Sequence, residues 1–471
     1  MVSSLLRVCG RFGMACLLFV LIFIGVSTAS AQNLAVTLEN RDLPRYHQQY
    51  ERMEQGDVDV LWVGDSIIHG WEGAGKEVWD EFYKDRHAMN FAIGGDRTGH
   101  VLWRIANSPM DKISPKLAIV MIGTNNIGHT KPNSQEMHST PEETVQGIQL
   151  IVDQLKSLYP TTKILLLSVF PRGNQPTDRL RLAVNEINQG LDAIYGDNKV
   201  ENVQLYDIGE LFLTPDGVLS PEIMPDYLHP NAKGYKIWAQ AVEPMIADAL
   251  GDSPVDCQPE PVDVDWWKER FEEKNKELQQ GNVDLLMIGD SITHFWDVTP
   301  YWENNGFDVW QKYFAPYNPV NLGHGGDQTQ HVLWRLDNYD FSKINPRAAV
   351  LLIGVNNTVN RDREPKDIAL GQRRIVQKLC KLFPDMHVIV LKIFPCNSRE
   401  DQQQVNDSIN ELTDYYMRDL PNVEVVDLKQ VFLNKDGELT QDVMPDLLHP
   451  SQFGYELWGA ALYLKLSKCF E

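Results

Sequence analysis

Residues 58–63 are apolar in five of six positions, and similar short runs recur at 89–93, 117–122, 164–169 and 203–206. Runs of this length, bounded by polar or glycine-containing stretches, predict strands buried on both faces of a sheet. Between them the pattern changes period. Residues 142–158 (EETVQGIQLIVDQLKSL) place apolar side chains at helical spacing directly after Thr140-Pro141, a capping residue followed by a first-turn proline. Five strands alternating with helices predict a three-layer, doubly wound α/β domain with a five-stranded parallel sheet.

The pattern is written twice. Val63-Gly64-Asp65-Ser66-Ile67 returns as Ile288-Gly289-Asp290-Ser291-Ile292, and Gly94-Gly95-Asp96 through Trp103-Arg104 returns as Gly325-Gly326-Asp327 through Trp334-Arg335. Gly123-Thr124-Asn125-Asn126 returns as Gly354-Val355-Asn356-Asn357, and Met224-Pro225-Asp226-Tyr227-Leu228-His229-Pro230 as Met444-Pro445-Asp446-Leu447-Leu448-His449-Pro450. A period this long means two complete domains rather than a solenoid. Residues 251–261 (GDSPVDCQPEP) have the composition of a linker, and each copy opens with an amphipathic stretch such as 266–280. The expected organisation is a first domain over 32–250, a linker over 251–264 and a second domain over 265–471.

Residues 1–31 read as a cleavable export signal. Arg7 and Arg11 precede an apolar run at 14–26, and Ala29-Ser30-Ala31 fits the small-x-small rule for cleavage. The run is too short for the roughly 20 apolar residues a spanning helix needs, so the expected product is secreted or periplasmic, with no integral membrane segment after cleavage. The 471-residue chain carries 43 Lys+Arg against 65 Asp+Glu, a net charge of −22. Removing two arginines and no acid leaves about −24, which disfavours nucleic acid and anionic membranes as partners. Four cysteines lie beyond the signal. Cys257 and Cys469 are placed to staple the ends of the second domain, whereas Cys380 and Cys396 fall at opposite ends of the sheet as free thiols. No Cys-x-x-Cys or His-x-x-x-His spacing supports a metal, and no cofactor is expected.

Every repeated block follows a strand, so all four converge on the carboxyl edge of the sheet, where open α/β sheets bind ligands. Ser66 and Ser291 stand where a strand turns into a helix, which suits an exposed hydroxyl near a helix N-terminus and equally suits an N-cap. Gly95 and Gly326 permit a backbone N–H to face an oxyanion, or simply a tight turn. Asp96 is expected to order that loop. Asn125 and Asn356 offer neutral amide donors. Asp226–His229 and Asp446–His449 supply a general base with a carboxylate to fix its tautomer, held between prolines. Each signal has a structural alternative, but nucleophile, base, orienting carboxylate and two oxyanion donors recur together in both copies.

GDS, GGD, G(T/V)NN and DxxH in this order resemble the SGNH hydrolases, or GDSL esterases, across essentially the whole chain after the signal. The GGDxTxHVLWR stretch is similar to the catalytic subunits of platelet-activating factor acetylhydrolase. The resemblance implies a flavodoxin-like fold with sheet order 2-1-3-4-5 and metal-free ester hydrolysis. It also implies Ser66 and Ser291 as nucleophiles, Gly95, Asn125, Gly326 and Asn356 in the oxyanion holes, and Asp226–His229 and Asp446–His449 completing the triads. Ala92, where the second copy has Gly323, is expected to narrow the loop of the first site. His69 and His294, three residues after the serines, line a pocket or pack beneath the site. Trp266-Trp267 dock the domains or bury a helix face. The expected function is a secreted esterase removing short acyl groups, chiefly acetyl, from glycans at two sites. A lysophospholipase or platelet-activating-factor-acetylhydrolase-like activity is the alternative, and a catalytically silent tandem glycan-binding module is the alternative of another class.

Overall fold

The computed structural model describes residues 33–128, 138–297, 304–359, 363–399 and 401–470. The expected export signal lies outside them. The chain divides into two compact units, one through Ala232 and one from Lys233.

In the first unit the strands are β1 (Val60–Gly64), β2 (Ala88–Asn90), β3 (Leu117–Met121), β4 (Lys163–Leu167) and β5 (Val203–Tyr206). They form one sheet in the order β2-β1-β3-β4-β5, parallel throughout. Its helices are α1 (Pro44–Glu54), α2 (Ser66–His69), α3 (Lys76–Phe82), α4 (Thr98–Asn107), α5 (Pro141–Leu158) and α6 (Arg179–Tyr195). Helix α7 (Ala232–Leu250) crosses into the second unit.

The second unit repeats the plan with α8 (Asp265–Leu278), β6 (Leu285–Gly289), α9 (Ser291–His294), α10 (Phe307–Tyr313), β7 (Pro319–Gly323), α11 (Thr329–Asn338) and β8 (Ala348–Leu352). It continues with α12 (Pro365–Leu382), β9 (His387–Leu391), α13 (Gln402–Met417), β10 (Val423–Val426) and α14 (Gln452–Cys469). The sheet runs β7-β6-β8-β9-β10, again parallel. Both units therefore have the doubly wound 2-1-3-4-5 order that the family resemblance implies.

The unbroken apolar runs follow from burial on both faces. In the second unit Leu285, Met287, Val350, Ile389 and Leu391 enter one core. Their neighbours Leu286, Ile288, Ala349, Leu351, Val388 and Val390 enter the core on the opposite face, as a period of two dictates. In the first unit Leu61, Val63, Ala118, Val120, Ile164 and Leu166 fill one face. Trp62, on the other, meets the rings of Trp71, Trp79 and Tyr83 at 5.1–5.8 Å. Thr140 caps α5 by accepting from the Glu143 N–H while Glu143 reaches back to the Thr140 N–H.

Two strands stop short of their apolar runs, for a definable reason. Beyond Asn90 the carbonyls of Phe91 and Ala92 accept from Arg104, Arg45 and Gln49 side chains rather than from a strand. Beyond Leu167, the N–H and C=O of Val169 both pair with the Asn188 amide, and Ile393 pairs with Asn410 in the same way. Side chains thus unzip the sheet where loops must splay apart.

The stretch 251–264 is not featureless. It carries a 3₁₀ turn at Val255–Cys257, and Asp256 is buried, its carbonyl accepting from Thr329 Oγ1 and its carboxylate from Asn357 Nδ2. In the first unit Ala35 plays the matching backbone role for Thr98. All four cysteines here are free. The Cys257–Cys469 staple that the sequence left open does not form, because Cys257 follows Asp256 at the carboxyl end of β8, near Asn357. Cys469 lies at the other end of that strand, where its carbonyl accepts from Arg347, the residue preceding β8.

Candidate active site

Strand β1 ends at Gly64, Asp65 caps the next turn by accepting from the Ile67 N–H at 3.0 Å, and Ser66 opens α2. This helix is a single turn of four residues, so the dipole contribution anticipated for a longer helix is small. Asp290 and Ser291 repeat the arrangement. Both capping aspartates are completely buried, and burial pushes their carboxyls up to about 7.

Ser66 Oγ lies 2.8 Å from His229 Nε2, and His229 Nδ1 lies 2.7 Å from Asp226 Oδ2. In the second unit the Ser291–His449 and His449–Asp446 distances are again 2.8 and 2.7 Å. The carboxylate and imidazole share one turn. Asp226 Oδ1 accepts from the N–H groups of Leu228 and His229, with Tyr227 in the left-handed region at φ 58°. Asp446 repeats this with Leu447 at φ 58°. Burial would raise Asp226 and Asp446, but hydrogen bonds from the paired histidine side chain and the two backbone N–H groups outweigh it and hold both carboxyls below the ordinary value. An ionised carboxylate on Nδ1 leaves Nε2 free to accept the serine proton.

The glycine loop closes the opposite side. Gly95 and Gly326 have φ of 80° and 77°, values that a side chain makes costly. Asp96 orders the loop as expected: both carboxylate oxygens are engaged, Oδ2 by Arg104 and Oδ1 by Arg41. Asn125 Nδ2 donates to the Asp96 carbonyl at 2.9 Å, and Asn356 Nδ2 to that of Asp327 at the same distance. Each amide nitrogen retains a second N–H. The described residues of each unit thus bring together the serine, histidine, aspartate, glycine and asparagine that the motifs singled out. Among the described residues no cluster of His, Cys, Asp or Glu is arranged to hold a metal ion.

Several contacts were not legible beforehand. His69 Nδ1 accepts the Gly94 N–H at 3.2 Å, and His294 Nδ1 accepts that of Gly325 at 3.2 Å, so these histidines hold the glycine loop against the serine turn. Burial lowers both, His294 to about 3, which keeps Nδ1 available as an acceptor. The second asparagine of each pair, Asn126 or Asn357, binds the N–H and Oγ1 of Thr98 or Thr329. Recurrence of both residues at fixed spacing in the two copies was the available signal. The Ala92 expectation is corrected. The tighter approach is in the second copy, where a Cβ on Gly323 would lie 2.4 Å from the His294 nitrogen. Trp267 is buried, with Nε1 on Asp327 Oδ1 at 2.7 Å, while Trp266 stays exposed beside His294.

A doubly wound parallel sheet with a serine–histidine–aspartate relay and amide donors at its carboxyl edge defines a serine hydrolase of the acyl-transfer class. The sequence matches the GDSL-like lipase/acylhydrolase family over residues 62–237 and again over 287–457, and the chain belongs to that family as a carboxylic ester hydrolase. It is 35% identical over 218 residues to the platelet-activating factor acetylhydrolase IB subunit alpha2 of Rattus norvegicus, an alignment covering 45% of this chain and 89% of that one. It is 30% identical over 212 residues to the human alpha1 subunit, covering 45% and 85%. Among solved structures, the acetylxylan esterase Axe2 of Geobacillus stearothermophilus aligns at 18% identity with a TM-score of 0.32, covering 39% of this chain and 93% of that one.

Proposed function

We propose that both units are active sites and that the natural substrates are short acyl esters, chiefly acetyl, carried on glycans outside the cytoplasm. The observation that carries the two-site reading is that Ser–His and His–Asp distances are the same in both copies, with no member replaced. His229 Nε2 takes the proton of Ser66 Oγ as that oxygen attacks the ester carbonyl. The negative charge that develops on the carbonyl oxygen is met by the N–H groups of Ser66 and Gly95 and the free N–H of Asn125. The imidazolium then gives its proton to the departing alcohol, leaving an acyl-serine. Water, deprotonated by the same histidine, attacks the acyl carbon, and the proton returns to Ser66 as the acid leaves. Ser291, His449, Gly326 and Asn356 perform the same steps in the second unit.

Support for a glycan substrate comes from the export signal read at residues 1–31 and from the net charge, which disfavours an anionic lipid surface. The relatives named as platelet-activating factor acetylhydrolases favour acetyl as the acyl group, and they supply the competing reading of an acetylated phospholipid substrate. The test compares p-nitrophenyl esters of increasing acyl length in wild type, Ser66→Ala, Ser291→Ala and the double variant, followed by acetylated xylan and an acetylated ether phospholipid. Activity falling with acyl length, reduced in each single variant and abolished in the double, followed by acetate release from xylan, is expected. Release from the phospholipid alone would overturn the glycan reading. Full activity in one single variant would overturn the two-site reading.

A further inference from the structure

The two catalytic relays match, but their mouths do not. Arg41 and Trp266 stand at the same distance in sequence before Ser66 and Ser291, and each lies against the glycine loop of its own unit. In the first unit Arg41 Nε binds Asp96 Oδ1 at 2.6 Å and Nη2 binds the Gly94 carbonyl at 2.6 Å. That carbonyl belongs to the same peptide group as the Gly95 N–H. Because Asp96 also holds the buried Arg104, two guanidinium groups share one carboxylate, and the loop carries a surplus positive charge next to the reacting atoms. The Arg41 side chain keeps 21% of its surface exposed, so a substrate can sense that charge.

In the second unit Trp267 takes over the loop carboxylate through Nε1, Arg335 supplies the guanidinium, and the His331 ring 3.8 Å away is held neutral by burial, so the surplus charge is gone. Trp266 is thereby released to the surface. It is 46% exposed, stacked at 24° on His294 with centroids 6.3 Å apart, and its ring edge lies 3.6 Å from where a side chain on Gly325 would begin. On the other side of the serine, Phe295 replaces Gly70 and sits 5.3 Å from the His449 ring. The His449 side chain is accordingly 20% exposed, against 39% for His229. Among the described residues, one mouth carries an exposed cation, whereas the other carries aromatic rings with one indole turned outward.

We propose that the two sites divide the esters between them. The second takes acyl esters on an uncharged sugar ring that seats its C–H face on Trp266, and the first takes esters whose sugar carries a negative charge near the scissile group. An indole face offers a large, rigid apolar platform. A cation not neutralised by its neighbours favours an anion at short range even on a chain of net negative charge. This division rests on the reading of two glycan-ester sites.

The test uses the full chain with one serine removed, so that Ser291→Ala reports the first site and Ser66→Ala the second. Each is assayed on p-nitrophenyl acetate, on an acetylated xylo-oligosaccharide, which is uncharged, and on an acetylated oligogalacturonide, which is anionic. The readout is the ratio of kcat/KM for the uncharged over the anionic glycan, which a general loss of folded protein does not move. The second site should show a ratio about tenfold above the first. Trp266→Ala in the Ser66→Ala chain should lower it about fivefold, mainly through KM on the xylo-oligosaccharide. Arg41→Gln in the Ser291→Ala chain should raise it. Ratios equal within twofold at two glycan-active sites overturn the division and leave the two-site reading intact. Activity on p-nitrophenyl acetate with none on either glycan overturns the division and the glycan reading together. Loss of all activity in one single-serine variant overturns the two-site reading and the division with it.

Discussion

The buried arginine behind each glycine loop offers a comparison within one chain. Arg104 and Arg335 are fully buried and make matching bonds: to Asp96 or Asp327 through Nε and Nη2, to the Phe91 or Leu322 carbonyl at 2.6 Å, and to the Gly64 or Gly289 carbonyl at 3.4 or 3.3 Å. Replacing either by methionine keeps much of the volume and removes the buried cation from its carboxylate. In the second unit Asp327 would retain only the Trp267 N–H, and breaking a buried pair in this way costs about 3–5 kcal/mol. In the first unit Asp96 would keep Arg41 as a charged partner, so the loss is nearer that of hydrogen bonds to a charged group, about 1.5–3 kcal/mol. Arg335→Met should therefore destabilise its unit by about 1–2 kcal/mol more than Arg104→Met destabilises its own. With a urea dependence of roughly 2 kcal/mol per molar, the midpoint falls about 0.5–1 M further. The assay is a urea titration of residual p-nitrophenyl acetate hydrolysis, with Arg104→Met in the Ser291→Ala chain and Arg335→Met in the Ser66→Ala chain. The pH dependence has a definite sign. Burial raises Asp327 to about 6, against the opposing pull of Arg335 and Trp267. A carboxyl raised on folding loses stability as pH climbs from its unfolded value to its folded one. Without Arg335 the folded value moves above 6, so the deficit of Arg335→Met should widen from pH 6 to pH 8. An equal or larger cost for Arg104→Met would refute the role assigned to Arg41, and a deficit flat across that pH range would refute the stranded carboxylate.

Asn125→Ala in the Ser291→Ala chain should lower kcat for p-nitrophenyl acetate by about 10²–10³, as loss of one oxyanion donor does, with a smaller change in KM. Asp226→Asn in the same chain should lower kcat by about 10⁴, because an amide does not fix the histidine tautomer, while circular dichroism stays that of the folded chain. Asp290→Asn preserves an oxygen for the Ile292 N–H and removes a carboxyl that burial raises to about 7. Its effect on thermal stability relative to wild type should become more favourable between pH 4 and pH 7 and level off above that, as followed by Tm across buffers.

The strands could be read from the chain because burial on both faces leaves runs such as Leu117–Met121 with no polar residue at all. The contact of serine, histidine and aspartate could be read because Ser66, Asp226 and His229 each follow a strand or sit in a stiff proline-bracketed turn, and because the set recurs. What could not be read depends on contacts between residues far apart in sequence. Nothing local distinguishes Arg41 from a surface arginine until Asp96, fifty-five positions later, folds against it. His69 looks like any histidine after a serine turn until the Gly94 N–H arrives at its Nδ1. Likewise the strand ends at Asn90 and Leu167 are set by side chains that cap carbonyls from elsewhere.

The turn that carries Asp226 and His229 has a consequence for how activity fails. Its carboxylate is bound to the backbone and ring of the same short segment, so the aspartate–histidine pair forms within one turn, which the Gly173 N–H anchors through the Tyr227 carbonyl at 2.9 Å. Within the relay, only the 2.8 Å contact between Ser66 and His229 spans the length of the domain. Swelling or shear that loosens the domain short of unfolding should therefore act as a clutch. It disengages a still-intact dyad from its nucleophile, and re-engagement on relaxation restores function without any group having to be rebuilt.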